Sequence, residues 1–185
     1  MKTLNFSTLG CVIALAFSSV SAAHAADGTV NFTGTITDAG CNAFVNGSGA
    51  KTADVNLGKV LKSAFKGVGS TVDGAASTTG FTIELNDCPT TVTSATFKFD
   101  GENVNGDDKI LALTAAEGAA TGVGIQLYDK NRSILQLAKA SAAYPIVNKG
   151  TGTSNVLPFY AKYIQTLGTV TTGPANAVAT FTVNY

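Results

Sequence analysis

Cysteine and histidine are the residues of this chain that could support covalent or zinc chemistry, and they are few. The 185-residue sequence contains three cysteines, Cys11, Cys41 and Cys88, and a single histidine, His24. Zinc sites and Ser-His-Asp or Cys-His catalysis depend on imidazoles or free thiols. Which of these residues remain in the mature protein therefore decides which chemistry is open to it.

The first 25 residues have the features of a secretory signal peptide. Lys2 supplies the positive charge, an apolar run extends from Leu9 to Phe17, and Ala23-His24-Ala25 gives the small-x-small cleavage pattern. The apolar run is too short to span a bilayer. We predict cleavage after Ala25. A lipoprotein attached at Cys11 is disfavoured, because Thr8 stands where a leucine is expected three residues before the cysteine.

Cleavage would remove Cys11 and His24 and leave Cys41 and Cys88. Two cysteines in an exported chain indicate one disulfide, and the chain-entropy model gives about 4 kcal/mol for closing a loop of this length, less any strain. The alternative is two unrelated buried thiols. With the disulfide formed, neither an imidazole nor a free thiol remains, so triad catalysis and His- or Cys-based zinc sites are excluded.

Carboxylates offer two weaker candidates in the run Asp100–Lys109, DGENVNGDDK. Asp100 and Glu102 could be paired acids as in glycosidases, but they fall in a predicted turn without an evident substrate cleft. A calcium loop does not fit, because with Gly106 in the sixth place the first ligand position falls on Gly101. We predict a polar turn here, and no catalytic residue, metal site or cofactor in the chain.

The charge balance gives no sign of a nucleic-acid partner. The whole chain has 12 Lys plus Arg and 12 Asp plus Glu, and of these only Lys2 lies in the predicted signal peptide. The mature chain is therefore close to neutral, and its single arginine, Arg132, belongs to no basic patch in the sequence. The remaining length suits one domain with a sizeable core.

Short apolar runs separated by turn residues dominate the mature chain. The runs are Val30–Ile36, Val55–Leu57, Phe81–Leu85, Ala95–Phe99, Val123–Leu127, Ile134–Leu137, Tyr144–Val147, Phe159–Ile164 and Ala177–Tyr185. Strands at this spacing predict a β-sandwich. The run Ile110–Ala120 has helix-forming composition, but we predict a strand over Ile110–Leu113 followed by a loop. Gly67–Gly80 is predicted to be a surface loop, and Pro89 to end the preceding strand.

The first and last of these segments alternate strictly. The opening strand places one apolar set on one face, with a glycine in the middle, at Val30, Phe32, Gly34 and Ile36. A glycine inside a strand often marks the close approach of another backbone. The last strand places another set on one face, at Ala179, Phe181, Val183 and Tyr185, and the sequence stops there. Because an unpaired strand edge exposes backbone groups that proteins usually hide, we expect this chain to offer an edge to a partner.

At these residues the chain resembles the pilin subunits of the chaperone–usher pathway, in the type 1 fimbrial branch. The matching segments cover essentially the whole mature chain, and each is weak alone. In this order, with the cysteine spacing and the export signal, they are specific. They are TVNFTGTI followed by Cys41, then VNLGKV, FTIELNDC, ATGVGIQLYD, LPFYAKY and GPANAVATFTVNY.

The resemblance implies an all-β fold, an incomplete immunoglobulin-like sandwich that lacks its final strand and is completed by a donor strand. It implies a signal peptide at residues 1–25, a donor-strand extension at 26–38 and the incomplete domain at 39–185. The implied partners are a periplasmic chaperone that lends a strand, an outer-membrane usher, and identical or related pilin subunits in a head-to-tail polymer. A host receptor would be reached through the filament tip.

The resemblance also implies roles for individual residues. Val30, Phe32, Gly34 and Ile36 would be the donor strand, and Ala179, Phe181, Val183 and Tyr185 would line the groove that faces the chaperone. Cys41 and Cys88 match the disulfide of the family. In one departure, relatives commonly carry a residue after the final tyrosine, whereas Tyr185 ends this sequence.

We therefore predict a non-enzymatic structural subunit of an adhesive fimbria, exported through the periplasm to the cell surface, and specifically the repeating subunit of the shaft. The first alternative is a minor adaptor or terminator pilin of the same system. A secreted β-sandwich lectin is less favoured, because the chain has no tryptophan to form a sugar platform.

Overall fold

In the part of the chain that the structure describes, the regular elements are ten β-strands and one short 3-10 helix at Lys62–Ala64. The computed structural model describes Thr33 and residues 40–73, 80–149 and 151–185. The strands belong to one unit, Thr37–Tyr185. They are β1 (Asn42–Val45), β2 (Thr71–Val72), β3 (Gly80–Asn86), β4 (Ser94–Asp100), β5 (Asn103–Val104), β6 (Asp107–Leu111), β7 (Val123–Tyr128), β8 (Tyr144–Pro145), β9 (Ser154–Gln165) and β10 (Thr180–Asn184). In the part of the chain described, no helix is long and apolar enough to cross a membrane.

The strands form two antiparallel sheets. The larger sheet has the order β1-β3-β9-β7-β6-β5, with β2 also pairing with β9, and the smaller sheet has the order β10-β4-β8. The long strand β9 joins the two halves of the larger sheet, because its first half pairs with β3 and its second half with β7. Among the described strands of the smaller sheet, β10 lies at an edge and β4 is its neighbour.

The core lies between the two sheets. Buried and half-buried residues alternate along both β3 and β4, as expected for strands that turn one face inward. Five aromatic rings meet there with centroid separations of 5.1–6.1 Å, those of Phe81, Phe97, Phe99, Tyr144 and Phe159. Each such pair contributes about 0.5–1.5 kcal/mol beyond its area of burial. The predicted all-β sandwich is confirmed.

Most of the predicted strands are present. The apolar runs predicted for β3, β4 and β7 lie in those strands, and the run Phe159–Ile164 lies in β9, which begins earlier. β10 covers only Thr180–Asn184 of the predicted run Ala177–Tyr185. The run that starts at Ile110 enters β6 and leaves the sheet after Leu111, so its helix-forming composition does not produce a helix. β3 ends at Asn86, before Pro89, and a turn follows in which the Val92 N–H donates to the oxygen of Pro89.

The structure also differs from the prediction in several elements. The run Val55–Leu57 is not part of a β-ladder among the described residues, and Ile134–Leu137 contributes only an isolated bridge between Ile134 and Tyr128. The amide of Leu135 donates to β7 and the amide of Leu137 donates to Asp108 in β6. The run Ile134–Leu137 therefore does not pair with a single strand. β2 lies inside the predicted loop Gly67–Gly80, and β1 was not predicted.

The polar run after β4 forms a hairpin. Its two-residue loop, Asn105-Gly106, joins β5 to β6, and both residues have positive φ angles, 51° and 83°. Asn-Gly is the favoured pair for such a loop, because both positions require left-handed backbone. The predicted polar turn is confirmed.

The disulfide links the beginning of β1 to the end of β3. Cys41 and Cys88 are bonded, and Asn42 pairs with Asn86 in the adjacent ladder. Cys88 is fully buried in the core. The two cysteines of the predicted mature chain are thus a structural bridge, and the alternative of two unrelated thiols is wrong.

Two further predictions lie outside the described residues. They are the signal peptide at 1–25 and the donor-strand roles of Val30, Phe32, Gly34 and Ile36 in the 26–38 extension. These remain predictions.

Candidate functional site: the outer edge of the last strand

β10 turns apolar side chains towards the core along one face. Phe181 and Val183 are half-buried and pack against the core cluster, and the Phe181 ring lies 6.4 Å from that of Phe99. The other residues of the strand, Thr180, Thr182 and Asn184, are exposed. The alternation predicted from the sequence is therefore present, but neither apolar side chain is completely covered by described residues.

The direction of the backbone groups of β10 follows from the hydrogen bonds of its neighbour β4. On the edge of β4 away from β10, Ala138 and Ser141 donate their amides to the oxygens of Phe99 and Phe97, at 2.7 and 2.8 Å. The Phe97 amide donates to Ser141 Oγ at 3.0 Å. Alternate residues of a strand present their main-chain groups to opposite edges. The residues of β4 that face β10 are therefore Thr96, Lys98 and Asp100, whose partners in register are Asn184, Thr182 and Thr180.

The main-chain groups of Phe181 and Val183 consequently point away from β4. Each residue offers one N–H and one C=O at the outer edge of β10, and no described residue bonds to any of these four groups. The two residues whose side chains face the core are thus the same two whose outward backbone groups have no partner among the described residues. This edge, with Phe181 and Val183, is called the open edge below.

Tyr185 and Ala179 flank the open edge in different ways. The Tyr185 ring packs on Gly40, where an added Cβ would lie 2.6 Å from Cε2, and its hydroxyl donates to the oxygen of Cys41 at 3.3 Å. Burial raises the pKa of this hydroxyl. Ala179 precedes β10 and is exposed. Of the four residues predicted to line the groove, Phe181 and Val183 are the ones that contribute to the core cluster.

A second segment leaves part of the core half-covered. Val55, Leu57, Val60 and Phe65 pack against the core, and only Leu57 is fully buried. Gly58 lies between Leu57 and Val60 and has a φ of 69°. This left-handed residue interrupts the alternation of inward and outward side chains, so that Val60 again faces inward. We call Val55–Phe65 the core-lining segment. Within 52–60, no backbone-to-backbone hydrogen bond to another described residue occurs.

The sequence did not reveal the part played by the core-lining segment. Its motif VNLGKV was noted, but the phase shift at Gly58 hides the inward position of Val60 from a search for strict alternation. The contact between Gly40 and Tyr185 was also missed, because residues far apart in the chain give no local signal. What the site offers chemically is hydrogen-bonding backbone and apolar surface, which suits the addition of a strand.

Comparison with known proteins identifies the family. The model of the Fimbrial protein family matches residues 30–185. Among curated relatives, the type-1 fimbrial protein A chain of Escherichia coli is 39% identical over 98% of this chain and 100% of its own length. The probable major fimbrial subunit LpfA of Escherichia coli O157:H7 is 37% identical over 94% of this chain and 92% of its own length.

Solved structures agree with this result. A type I fimbria protein and antigen of Burkholderia pseudomallei is 38% identical, with a TM-score of 0.55 over 85% of this chain and 97% of that protein. The P pilus rod subunit PapA is 19% identical and shares the fold, with a TM-score of 0.56 over 78% of this chain and 99% of its own.

The chain belongs to the fimbrial protein family, as the sequence predicted. It is a structural subunit of fimbriae at the cell surface, and it has the immunoglobulin-like fold of chaperone–usher pilins. The family consists of structural subunits rather than enzymes.

Proposed function

We propose that this subunit polymerises head-to-tail by donor-strand exchange, in which residues 26–38 of one subunit complete the sandwich of the next. The observation that carries the proposal is the open edge. Phe181 and Val183 present both of their main-chain groups outward while their side chains leave the core half-covered. Strand addition would satisfy both deficits at once, because backbone bonds give affinity and alternate side chains give fit.

The energies involved are large enough for a stable polymer. Burying the side chains of Val30, Phe32 and Ile36 would contribute roughly 5–9 kcal/mol, at about 1.5–3 kcal/mol each. The four backbone groups of the open edge would add about 4 kcal/mol, at a net ~1 kcal/mol for each hydrogen bond. Gly34 would let the donor backbone approach closely where the groove is shallow.

We place the donor strand between β10 and the core-lining segment. Both contribute half-buried apolar side chains to the same core cluster. The outer edge of β10 and residues 55–60 make no backbone-to-backbone hydrogen bond to other described residues. A strand of seven residues, Val30–Ile36, extends about 23 Å, which is enough to cross a sandwich. Tyr185 would lie at the end of this groove.

The same open edge explains the partners that we propose. An exposed edge beside apolar side chains is prone to aggregation, so a periplasmic chaperone would cover it until assembly. An outer-membrane usher would then exchange the chaperone strand for the extension of the next subunit. Contact with a host receptor would occur through the filament tip.

We assign the subunit to the shaft rather than to an adaptor position. The observation that favours the shaft is the similarity to the probable major fimbrial subunit LpfA and to the type-1 A chain. Gold-labelled antibody against the chain should decorate fimbriae along their whole length. Labelling confined to one end would instead identify a minor adaptor or terminator.

The donor role of Phe32 can be tested by adding a charge. Phe32→Asp should stop filament formation and leave a chaperone-bound subunit, because a carboxylate would have to enter an apolar groove. Asn31→Asp is the matched control: it adds the same charge on the opposite face of the strand and should leave filaments intact. Electron microscopy of the cell surface gives the readout.

Normal filaments from Phe32→Asp would refute the donor-strand role. Loss of filaments from both variants would show that charge anywhere in the extension is harmful, and would also contradict the predicted alternation.

A further inference from the structure

A polar cleft lies on the outer face of the larger sheet, across β2, β9 and β7 and away from β10. Its lining residues are Asp73, Tyr128, Arg132 and Lys162, and its volume is about 420 Å³. Tyr128 is opposite Tyr160 in the β7–β9 ladder, and Lys162 lies two residues further along β9 on the same face. Sites for small ligands commonly have volumes of about 300–1,000 Å³.

Arg132 is held over this cleft by a turn with a defined geometry. The carboxylate of Asp129, which is only 4% exposed, accepts the amides of Asn131 and Ser133 at 2.8 Å. Arg132 itself has a φ of 65°, a left-handed backbone conformation that is unfavourable for a residue with a Cβ. The turn therefore fixes the direction from which the only arginine of the chain approaches the sheet.

The guanidinium of Arg132 stacks on an aromatic ring, and it makes no side-chain hydrogen bond to any residue that the structure describes. Its Cζ lies 3.3 Å from the centroid of the Tyr160 ring. No ion pair among the described residues involves Arg132, and residues 74–79, which follow Asp73, contain no Asp or Glu. A stacked guanidinium can still bind a carboxylate through two parallel hydrogen bonds.

The other charges of the cleft narrow the class of ligand. Lys162 adds a second cation, and its Nζ lies 3.1 Å from Oδ1 of Asp73. Asp73 is mostly exposed, so its carboxylate can accept further hydrogen bonds but would repel a simple anion. A ligand with a carboxylate for the cations and hydroxyl donors for Asp73 satisfies both groups. Acidic side chains of proteins have the carboxylate without the neighbouring hydroxyls.

We propose that this cleft binds a carboxylated sugar of the uronic acid class, with the sugar carboxylate on Arg132 and Lys162 and a hydroxyl donating to Asp73. The site is separate from the open edge and is carried by every copy of the subunit at the cell surface. Many copies in one fimbria would turn a weak site into a surface that retains acidic polysaccharide.

Calorimetric titration of intact purified fimbriae tests the proposal. With D-glucuronate, D-glucose and acetate as probes at low salt, glucuronate should bind and the other two should bind at least about tenfold more weakly, because each lacks one of the two kinds of contact. Equal binding of acetate and glucuronate would refute the sugar assignment. Absence of glucuronate binding would refute the site.

Variants locate the binding. Arg132→Gln and Lys162→Gln should each weaken glucuronate binding about tenfold, whereas Lys139→Gln, the same charge change outside the cleft, should have no effect. Arg132→Lys keeps the charge but loses the planar guanidinium, so it should also weaken glucuronate binding. It replaces Arg132→Gln in the test if the Gln variant does not assemble into fimbriae. Unchanged affinity in both Arg132 variants would overturn the proposal. If fimbriae assemble normally but do not bind glucuronate, the proposed sugar site is refuted while donor-strand exchange is not.

Discussion

Tyr144 is the largest fully buried side chain in the described part of the domain, and it carries a titratable hydroxyl. Its exposure is 2%, its ring packs against Phe97 and Phe159, and its oxygen accepts the Lys130 amide at 3.2 Å. Burial raises its pKa to about 12, from an ordinary value near 10. The folded protein therefore holds this proton more tightly than the unfolded chain does.

This shift makes the free energy of unfolding depend on pH in the alkaline range. The contribution is complete below pH ~10, where both states are protonated, and is lost as the pH rises through about 12, because the unfolded chain ionises first. From this group we expect the free energy of unfolding to fall by about 1.4 kcal/mol between pH 9 and pH 11. Denaturant titrations at the two pH values give the measurement.

Tyr144→Phe is the control for this prediction. The variant loses one hydrogen bond at neutral pH, at a cost of about 1 kcal/mol, but its decline between pH 9 and pH 11 should be smaller by about 1.4 kcal/mol. Burial also raises the pKa of Tyr128 and of Tyr163, so part of the decline should remain. An identical decline in both proteins would show that Tyr144 does not titrate as described.

At the residue scale, the sequence was informative where a property depends on residue type and local spacing. The bridge between Cys41 and Cys88 followed from counting cysteines after export, and the inward faces of Phe181 and Val183 followed from period-two alternation. The stacking of Arg132 on Tyr160 was not predictable. It depends on a turn and a strand that are distant in sequence and meet only through the tertiary fold.

At the scale of elements, the pairing of β6 with β7 depends on the absence of a side chain at Gly124. A Cβ added there would lie 2.5 Å from Ile110 Cγ2 and 2.9 Å from the backbone oxygen of Leu111. Gly124→Ala should therefore lower the free energy of unfolding by about 1–3 kcal/mol, since the neighbouring strand must move. Denaturant titration of the purified subunit measures this change.

Gly168→Ala is the matched control for Gly124→Ala. An added Cβ at Gly168 meets nothing within 4 Å, so the substitution should be neutral or slightly stabilising through the unfolded chain. Equal stability of the two variants would mean that the close approach at Gly124 does not constrain the β6–β7 pair.

Most strands that the sequence predicted are joined to a neighbouring strand by a long, regular ladder. β3, β4 and β7 have regular alternation or continuous apolar character and regular ladders. Two other apolar runs, Ile134–Leu137 and Val55–Leu57, form no such ladder. Pairing also requires the edge of another strand to lie next to the run, and the local sequence does not show whether it does. β1 was missed because its four residues are too few to show a period.

At the scale of the whole molecule, the domain has a fully buried core centre and, at one margin of that core, apolar side chains that its described residues cover only in part. The aromatic cluster between the sheets is fully buried, whereas Val55, Val60, Phe65, Phe181 and Val183 remain half-covered. A margin of this kind that accepts a segment from an identical chain gives a heterologous contact, and such contacts extend into open helical filaments. The fold class followed from the spacing of strands, but the location of this margin required the register of β10 on β4.

Amide hydrogen exchange in β10 tests most directly whether the open edge accepts a donor strand. The protein is a subunit that lacks residues 26–38, and exchange is measured before and after addition of a peptide spanning Ala26–Ile36. Thr182, whose amide bonds to β4, should be protected in both states. The amides of Phe181 and Val183 should exchange rapidly alone and become protected when the peptide binds. If Phe181 and Val183 are already as well protected as Thr182 without the peptide, the sandwich is closed by its own residues and the account is contradicted.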